Sequence, residues 1–231
     1  MTSQADLEQY CRDLYVRTRQ EWDRVRHEFV TGGLAFGILY GPPRLDPPLL
    51  IVGTNPGYDE DDDSQTWPSG NLFAIYPPPP PRDQGRWSLA RELRKYFMHI
   101  GQETVLKESV PTNLLFFKSR GIEDWERNPP AARHRLEEWC SHEVKGLAFK
   151  MNPSRILVVG ITPFEKLAGQ TRWEFRGSTR KRLYGTGTVF DKPAMGTIHL
   201  TSARPRLTPK ERLQIEQELA RFLSEPDVLP T

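Results

Sequence analysis

Residues 49–57 read Leu49-Leu50-Ile51-Val52-Gly53-Thr54-Asn55-Pro56-Gly57. An unbroken apolar run that ends in a turn signal predicts a strand buried on both faces, as in a parallel sheet. Ligands of open α/β sheets bind beyond the carboxyl ends of the strands. The segment therefore predicts that Asn55 lies at a functional edge, where Pro56 restricts the turn and Gly57 allows close approach to a ligand. An ordinary strand-to-loop turn is the alternative that this segment alone leaves open.

Three more apolar stretches, at residues 110–117, 155–160 and 196–202, predict further strands. Helical patterns cover residues 6–29, 88–100, 130–149, 162–168 and 210–223. This alternation predicts a three-layer α/β/α sandwich around a mostly parallel sheet of about four strands. We expect a single domain over residues 1–231, with an N-terminal helical extension at 1–44 and a long active-site insert at 58–86.

The chain resembles the uracil-DNA glycosylase superfamily over roughly residues 45–225. Gly53-Thr54-Asn55-Pro56-Gly57 resembles the first motif of that superfamily, in the form found in its mismatch-specific and single-strand-selective branches. Asn113 resembles the asparagine that reads the base edge from a strand end. Ser202-Ala203-Arg204-Pro205-Arg206 lies where the second motif is expected, usually His-Pro-Ser-Pro followed by a wedge residue.

The resemblance implies a monofunctional DNA glycosylase that needs no cofactor. Such an enzyme flips a nucleotide out of DNA and hydrolyses its N-glycosidic bond, leaving an abasic site. It implies that Asn55 positions the attacking water and that Asn113 pairs with a pyrimidine edge. The other substrate-binding candidates lie in or shortly after the first motif: Gly53, Thr54, Gly57, Tyr58, Asp59, and either Trp67 or Phe73 as the ring that stacks on the base. Alternatively, either ring is a core residue, and the acidic run from Asp59 to Asp63 is only a solvated loop.

The glycine at position 57 bears on which base the enzyme would excise. The strictest uracil enzymes of the superfamily carry an aromatic residue here, which collides with a 5-methyl group. Glycine removes this barrier, so we expect a pyrimidine with a substituent at C5, including the hypermodified bases of phage DNA, as well as or instead of uracil. The role would then be defence against phage rather than base-excision repair. Alternatively, another side chain of the insert fills the space that the missing aromatic side chain leaves.

The last motif departs from the superfamily pattern. Ser202 stands where the catalytic histidine is usual, and His199 lies three residues earlier. We therefore treat His199, Ser202 and Arg204 as candidates for the group that stabilises the departing base. Arg206 and Leu207 are candidates for the wedge that replaces the flipped nucleotide. The same departure favours a rival reading, in which the protein binds damaged or modified DNA without cleaving it.

Charge is unevenly distributed along the chain. The net charge is only +2, but residues 1–115 carry −4 and residues 116–231 carry +6. The densest basic stretch, residues 172–182, interleaves five cations with two aromatic residues, which is typical of a loop that contacts DNA. Its DNA-binding candidates are Arg176, Arg180, Lys181 and Arg182. A solvated surface loop with two residues in the core is the alternative.

The composition of the chain argues against several other classes of protein. The two cysteines, Cys11 and Cys140, are too few for a disulfide framework or a four-cysteine iron–sulfur cluster, and no spacing of His and Cys suggests zinc. No apolar run approaches the ~20 residues of a membrane span, and residues 1–9 lack a signal-peptide core. We expect a cytoplasmic monomer with DNA as its partner, no membrane contact and no metal.

Overall fold

The computed structural model describes residues 2–29, 36–55, 88–119, 121–177, 181–201 and 206–225. Within these ranges the helices are α1 (Gln4–Val25), α2 (Ser88–His99), α3 (Glu103–Glu108), α4 (Ile122–Glu126), α5 (Pro130–Met151), α6 (Ile161–Leu167) and α7 (Pro209–Ser224). A 3-10 turn, Arg26–Glu28, follows α1. The strands are β1 (Leu50–Gly53), β2 (Val110–Asn113), β3 (Ile156–Val159), β4 (Ala168–Phe175), β5 (Arg182–Val189) and β6 (Lys192–Thr197).

The six strands form one mixed sheet in the order β2-β1-β3-β6-β5-β4. The first four are parallel, and β5 and β4 extend the sheet beyond β6 in antiparallel orientation. Every residue of β1, β2 and β3 is buried, as an apolar strand between two helical layers must be. The α/β/α class is confirmed, and three of the parallel strands, β1 to β3, lie where the sequence predicts them.

The expected number of four strands is wrong, because the basic stretch 172–182 includes the end of one additional strand and the start of another, while residues 176, 177 and 181 lie between them. Residues 168–175 and 182–189 pair as β4 and β5, and β5 continues into β6 through a tight turn. The two turn residues, Phe190 and Asp191, have φ values of 50° and 61°. Two consecutive positive φ values define a type I′ turn, which usually carries Asn-Gly or Asp-Gly. Phe-Asp gives no such signal in the sequence.

The predicted helices are confirmed to within a few residues at most ends. Thr208 is the N-cap of α7, since its hydroxyl accepts from the Glu211 amide while the Glu211 carboxylate accepts from the Thr208 amide. Ser3 and Asp6 form the same capping box at α1. The expected last strand at 196–202 is displaced, because β6 ends at Thr197 and residues 198–201 leave the sheet.

Two hydrophobic layers enclose the sheet. On one face, α1 and α5 pack against β1–β3 through residues such as Leu14, Val52 and Leu147. On the other face, α2 and α7 cover the sheet through residues such as Phe97 and Ile215. The N-terminal helix therefore contributes residues to the core.

The two cysteines lie in the layer of α1 and α5. Cys11 and Cys140 are free thiols with 0% exposure. Burial raises the pKa of Cys11 to about 12 and also raises the pKa of Cys140, because an apolar environment disfavours the thiolate. Within the described ranges, no helix combines the length and apolarity that crossing a membrane requires.

Candidate active site

The carboxyl ends of β1 and β2 bring the two predicted asparagines to one edge. Gly53 is paired with Asn113 in the parallel register, and the pairing continues past both strands. The amide of Leu114 donates to the Gly53 carbonyl at 2.8 Å, and the amide of Leu115 donates to the Thr54 carbonyl at 2.9 Å. Asn55 therefore leaves the sheet beside the segment that follows Asn113.

The Asn113 side chain lies over the Gly53 backbone. A Cβ built on Gly53 would overlap Asn113 Oδ1, so only glycine at position 53 permits this placement. Asn113 is 8% exposed, yet its carboxamide makes no hydrogen bond to any protein group in the described part of the chain. A buried amide normally has its donors and acceptor paired. This one is therefore suited to pairing with a ligand.

Asn55 is held from the side of the chain that follows β2. Its Nδ2 donates to Ser119 Oγ at 2.8 Å, and Ser119 Oγ donates to the Gly121 carbonyl at 3.0 Å. Ser119 is 1% exposed and Asn55 is half-buried. The side chain of Asn55 is thus anchored through a buried serine, while part of it reaches solvent.

Thr54 connects this pair of strands to the end of β3. A Cβ on Gly160 would lie 3.1 Å from Thr54 Oγ1, and Gly160 has a φ of 127°, so a glycine is needed there. The Gly160 amide donates to the Thr197 carbonyl at 2.8 Å, which ties the end of β3 to the end of β6. The ends of all four parallel strands therefore form one continuous edge.

His199 follows β6 at this edge. Its ring is partly buried, and its Nδ1 lies 3.1 Å from Thr201 Oγ1. Burial lowers the pKa of His199 below its ordinary value, because the imidazolium is poorly solvated there. The strand order places β6 two strands from β1, about 10 Å at the usual strand spacing. His199 thus shares the edge with Asn55 without adjoining it in the sheet.

The prediction that Arg176 contacts DNA is contradicted by its position. Its guanidinium is 3% exposed and forms a bidentate pair with Glu211 of α7, at 2.8 and 2.9 Å. It also donates to the Arg206 carbonyl at 3.2 Å. These bonds hold the pKa of Glu211 down, at about 2. Arg176 therefore joins the tip of the hairpin to the start of α7.

Leu207, a predicted wedge residue, lies in the hydrophobic core rather than at the surface. Leu207 is 8% exposed and packs in the layer of α2 and α7, because Thr208 starts α7 directly behind it. Arg206 is exposed and remains a candidate for contact with DNA.

The remaining described cations of the hairpin lie at the surface. Lys181 and Arg182 are exposed, and together with Ile161 and Phe175 they line an open cavity of about 420 Å³ beside the end of β3. Arg182 also contacts Glu165 and lies 4.5 Å above the Trp173 ring. The basic surface is therefore formed by the turn end of the hairpin.

Eight predicted site residues lie outside the described residues: Gly57, Tyr58, Asp59, Trp67, Phe73, Arg180, Ser202 and Arg204.

One polar residue that contacts Asn55 was not predicted from the sequence. Ser119 is 1% exposed and accepts a hydrogen bond from Asn55, and the preceding residue, Lys118, is 4% exposed. The signal is a change to polar residues directly after the apolar run that ends at Phe117. By itself, that change indicates only the end of a strand.

Across the described residues, no group of three or more His, Cys, Asp or Glu side chains is arranged to bind a metal ion. The edge instead presents amides, a hydroxyl and an imidazole. Comparison of the sequence with protein-family models and with curated proteins gave no match.

Proposed function

We propose that the protein is a monofunctional DNA glycosylase that hydrolyses the N-glycosidic bond of a flipped pyrimidine nucleotide and leaves an abasic site. One observation carries the proposal: Asn113 is 8% exposed, its carboxamide makes no hydrogen bond to another described residue, and it lies on the strand next to Asn55 at one sheet edge. The agreement of the sequence with the first motif of the uracil-DNA glycosylase superfamily supports the same activity.

Asn113 is proposed to read the base. A carboxamide offers both donors and an acceptor, and the edge of a pyrimidine carries both complementary groups. Its amide lies over the backbone of Gly53 at the sheet edge. A site built around such a group rejects bases that leave the group unpaired, since a buried polar group without a partner is unfavourable.

Asn55 is proposed to position the attacking water. The water oxygen bonds to C1′ as the C1′–N bond breaks, and the electron pair of that bond leaves with the base. The water gives up one proton to solvent, and the departing base anion takes up a proton from solvent. The sugar develops positive charge early in such a dissociative reaction, so the water needs orientation more than deprotonation. A carboxamide provides orientation without acting as a strong base, and we expect slow turnover.

The departing base carries negative charge and needs a hydrogen-bond donor. His199 is one candidate, since its lowered pKa leaves the imidazole neutral at pH 7, with one N–H to donate. When Nδ1 accepts from the Thr201 hydroxyl, that proton is on Nε2. Ser202 and Arg204, in the segment that follows, are the other candidates.

The proposed substrate is a pyrimidine with a substituent at C5, or uracil. This choice rests on the sequence at Gly57, where the superfamily's aromatic barrier is missing, and on the acidic residues that follow, which accept hydrogen bonds from substituent hydroxyls. Such a substrate favours a role in defence against phage with modified DNA, whereas uracil favours base-excision repair.

The surface next to the edge supports DNA as the partner. Lys181, Arg182 and Arg206 are exposed, and Phe175 on the same hairpin is 46% exposed. Cations neutralise phosphates and an exposed ring stacks on bases or sugars. Contacts of this kind fix the DNA while Asn113 selects the base.

A binding protein without catalysis is the second candidate. The observation that favours it is Ser202, which stands where the superfamily usually has histidine. Such a protein would retain Asn113 for recognition and would need no positioned water. The two candidates differ in whether the glycosidic bond is broken at the recognised base.

A panel of duplexes and single strands that carry uracil, thymine, 5-hydroxymethylpyrimidines or glycosylated pyrimidines tests the proposal. After incubation, alkali cleaves any abasic site, and we expect strand breaks at one class of modified position only. Tight binding to one modified strand without breaks would support the binding protein instead. If the panel shows no strand breaks and no selective binding, both candidate functions are overturned.

A further inference from the structure

Ser119 determines which way the Asn55 carboxamide faces. A serine hydroxyl has a single proton, and Ser119 Oγ gives it to the Gly121 carbonyl at 3.0 Å. Ser119 Oγ can therefore only accept a hydrogen bond from Asn55, so the Asn55 atom that faces it must be a donor. At 2.8 Å, Asn55 Nδ2 is that donor.

The opposite orientation of the amide is unfavourable for the same reason. With Oδ1 turned toward Ser119, two acceptors would share one hydroxyl proton, and either Asn55 Oδ1 or the Gly121 carbonyl would lose its bond. Ser119 is 1% exposed, so solvent does not replace the missing donor easily. The hydrogen-bond pattern thus distinguishes the two ends of an amide that are nearly alike in shape.

The orientation matters for a water that must attack carbon. If Asn55 Oδ1 faces the water, the water donates a proton to it and keeps its own lone pair for C1′. If Nδ2 faces the water, the amide donates to that lone pair and the water becomes a poorer nucleophile. A carbonyl oxygen has two lone pairs, so Oδ1 can orient a water and also accept a second bond.

We propose that Ser119 is a positioning residue that turns Asn55 Oδ1 toward the attacking water. The inference rests on the proposed glycosylase activity and adds to it a residue that no motif of the sequence indicated. Ser119 does not touch the substrate, and it acts only through the orientation of Asn55.

The first test is Ser119→Ala, measured by single-turnover excision on the substrate identified with the base panel. We expect the rate to fall about tenfold or more, with the Kd for DNA unchanged, because orientation acts on the transition state rather than on binding. Ser109→Ala is the matched control. Ser109 is 3% exposed and its hydroxyl also donates to a carbonyl, that of Leu106, at 2.7 Å. This control should retain the wild-type rate.

The second test separates orientation from support of the fold. In Asn55→Asp, both side-chain oxygens are acceptors, so no orientation of the group needs to be selected. Adding Ser119→Ala to Asn55→Asp should therefore change the rate by less than about threefold. If Ser119 only stabilised the surrounding chain, the loss would be as large in the Asn55→Asp background as in the wild type.

Thermal unfolding of each variant checks that the fold is retained. Should Ser119→Ala fail to fold, Ser119→Cys keeps nearly the same shape with a weaker donor and acceptor, and we expect it to lose part of the rate. A wild-type rate in Ser119→Ala or in a folded Ser119→Cys, or an equal loss in both backgrounds, would overturn the inference alone. Wild-type protein that excises no base would overturn the proposed function and this inference together.

Discussion

The carboxamide of Asn113 lies directly over the backbone of Gly53, its partner in the parallel register of β1 and β2. The absence of a side chain on one strand makes room for the proposed reading group of the next. The close approach of the Asn113 amide thus favours glycine at position 53.

Gly53→Ala should displace the Asn113 side chain. The added methyl group overlaps Oδ1, so we expect a loss of ~1–3 kcal/mol in the free energy of unfolding, together with weaker discrimination among bases. Chemical denaturation and single-turnover excision on the base panel measure the two effects. Gly169→Ala is the control, because its added methyl group would lie 3.8 Å from the nearest atom, Thr188 Oγ1, in ordinary contact. Equal behaviour of the two variants would contradict the packing argument.

Asn55→Ala should lower the single-turnover rate and leave the affinity for DNA nearly intact. The side chain acts on the water in the transition state, so its loss affects the chemical step. Rapid-quench excision and fluorescence anisotropy on the same oligonucleotide give the two quantities. A parallel loss in both would assign Asn55 to binding or to the fold.

Asn113→Ala should lower the rate and also broaden the range of bases that are excised. Hydrogen-bond readout is what rejects the wrong bases, so its removal brings the rates for different bases closer together. The ratio of rates on the best and second-best bases of the panel is the measurement. An unchanged ratio would mean that Asn113 closes the strand end without reading the base.

Gly57→Tyr should abolish excision of 5-substituted pyrimidines through direct steric overlap, while uracil should be affected much less. The comparison uses matched duplexes with uracil, thymine, 5-hydroxymethyl and glycosylated pyrimidines. A wild-type protein that excises only uracil, or a variant impaired equally on all four, would remove the argument for an open pocket.

Arg176→Met should destabilise the protein by about 3 kcal/mol, because it leaves the Glu211 carboxylate partly buried without its partner. The pKa of Glu211 is depressed to about 2 in the folded protein from 4.5, so the pair stabilises the fold fully above about pH 4.5. As pH falls from 4.5 toward 2, this contribution disappears and the difference between wild type and variant should shrink.

Denaturation at pH 7 and at pH 3 measures the Arg176→Met effect. Arg26→Met serves as the control, since its pair with Asp23 is about half exposed on both sides and should contribute under about 1 kcal/mol. A difference that stays constant with pH would show that Arg176 acts through packing alone.

The sequence predicts those parts of the fold that depend on local pattern. The parallel strands are continuous apolar runs, and Thr208-Pro209 is a complete start signal for α7, so both were recognisable. The antiparallel strands β4 and β5 were not, because the turn that joins β5 to β6 is Phe190-Asp191 rather than the Asn-Gly or Asp-Gly that usually indicates such a turn.

Site residues that belong to a recognisable sequence motif were predictable. Site residues whose role depends on a contact between distant segments were not. Asn55 and Asn113 were found from their strand ends. The burial of Arg176 depends on Glu211, 35 residues later, and the support of Asn55 depends on Ser119, 64 residues later. The spacing of charged and aromatic residues predicts a basic surface patch, but it does not indicate which of the cations is buried.

The buried thiols of Cys11 and Cys140 make the wild-type chain a convenient background for site-specific labelling. Neither sulfur is accessible, and their raised pKa values keep both protonated at pH 7, so maleimide reagents should ignore them. A single cysteine introduced at Lys181, on the exposed tip of the hairpin, would then carry one fluorophore without removal of either native thiol. Quenching of that dye would follow the approach of an oligonucleotide in real time.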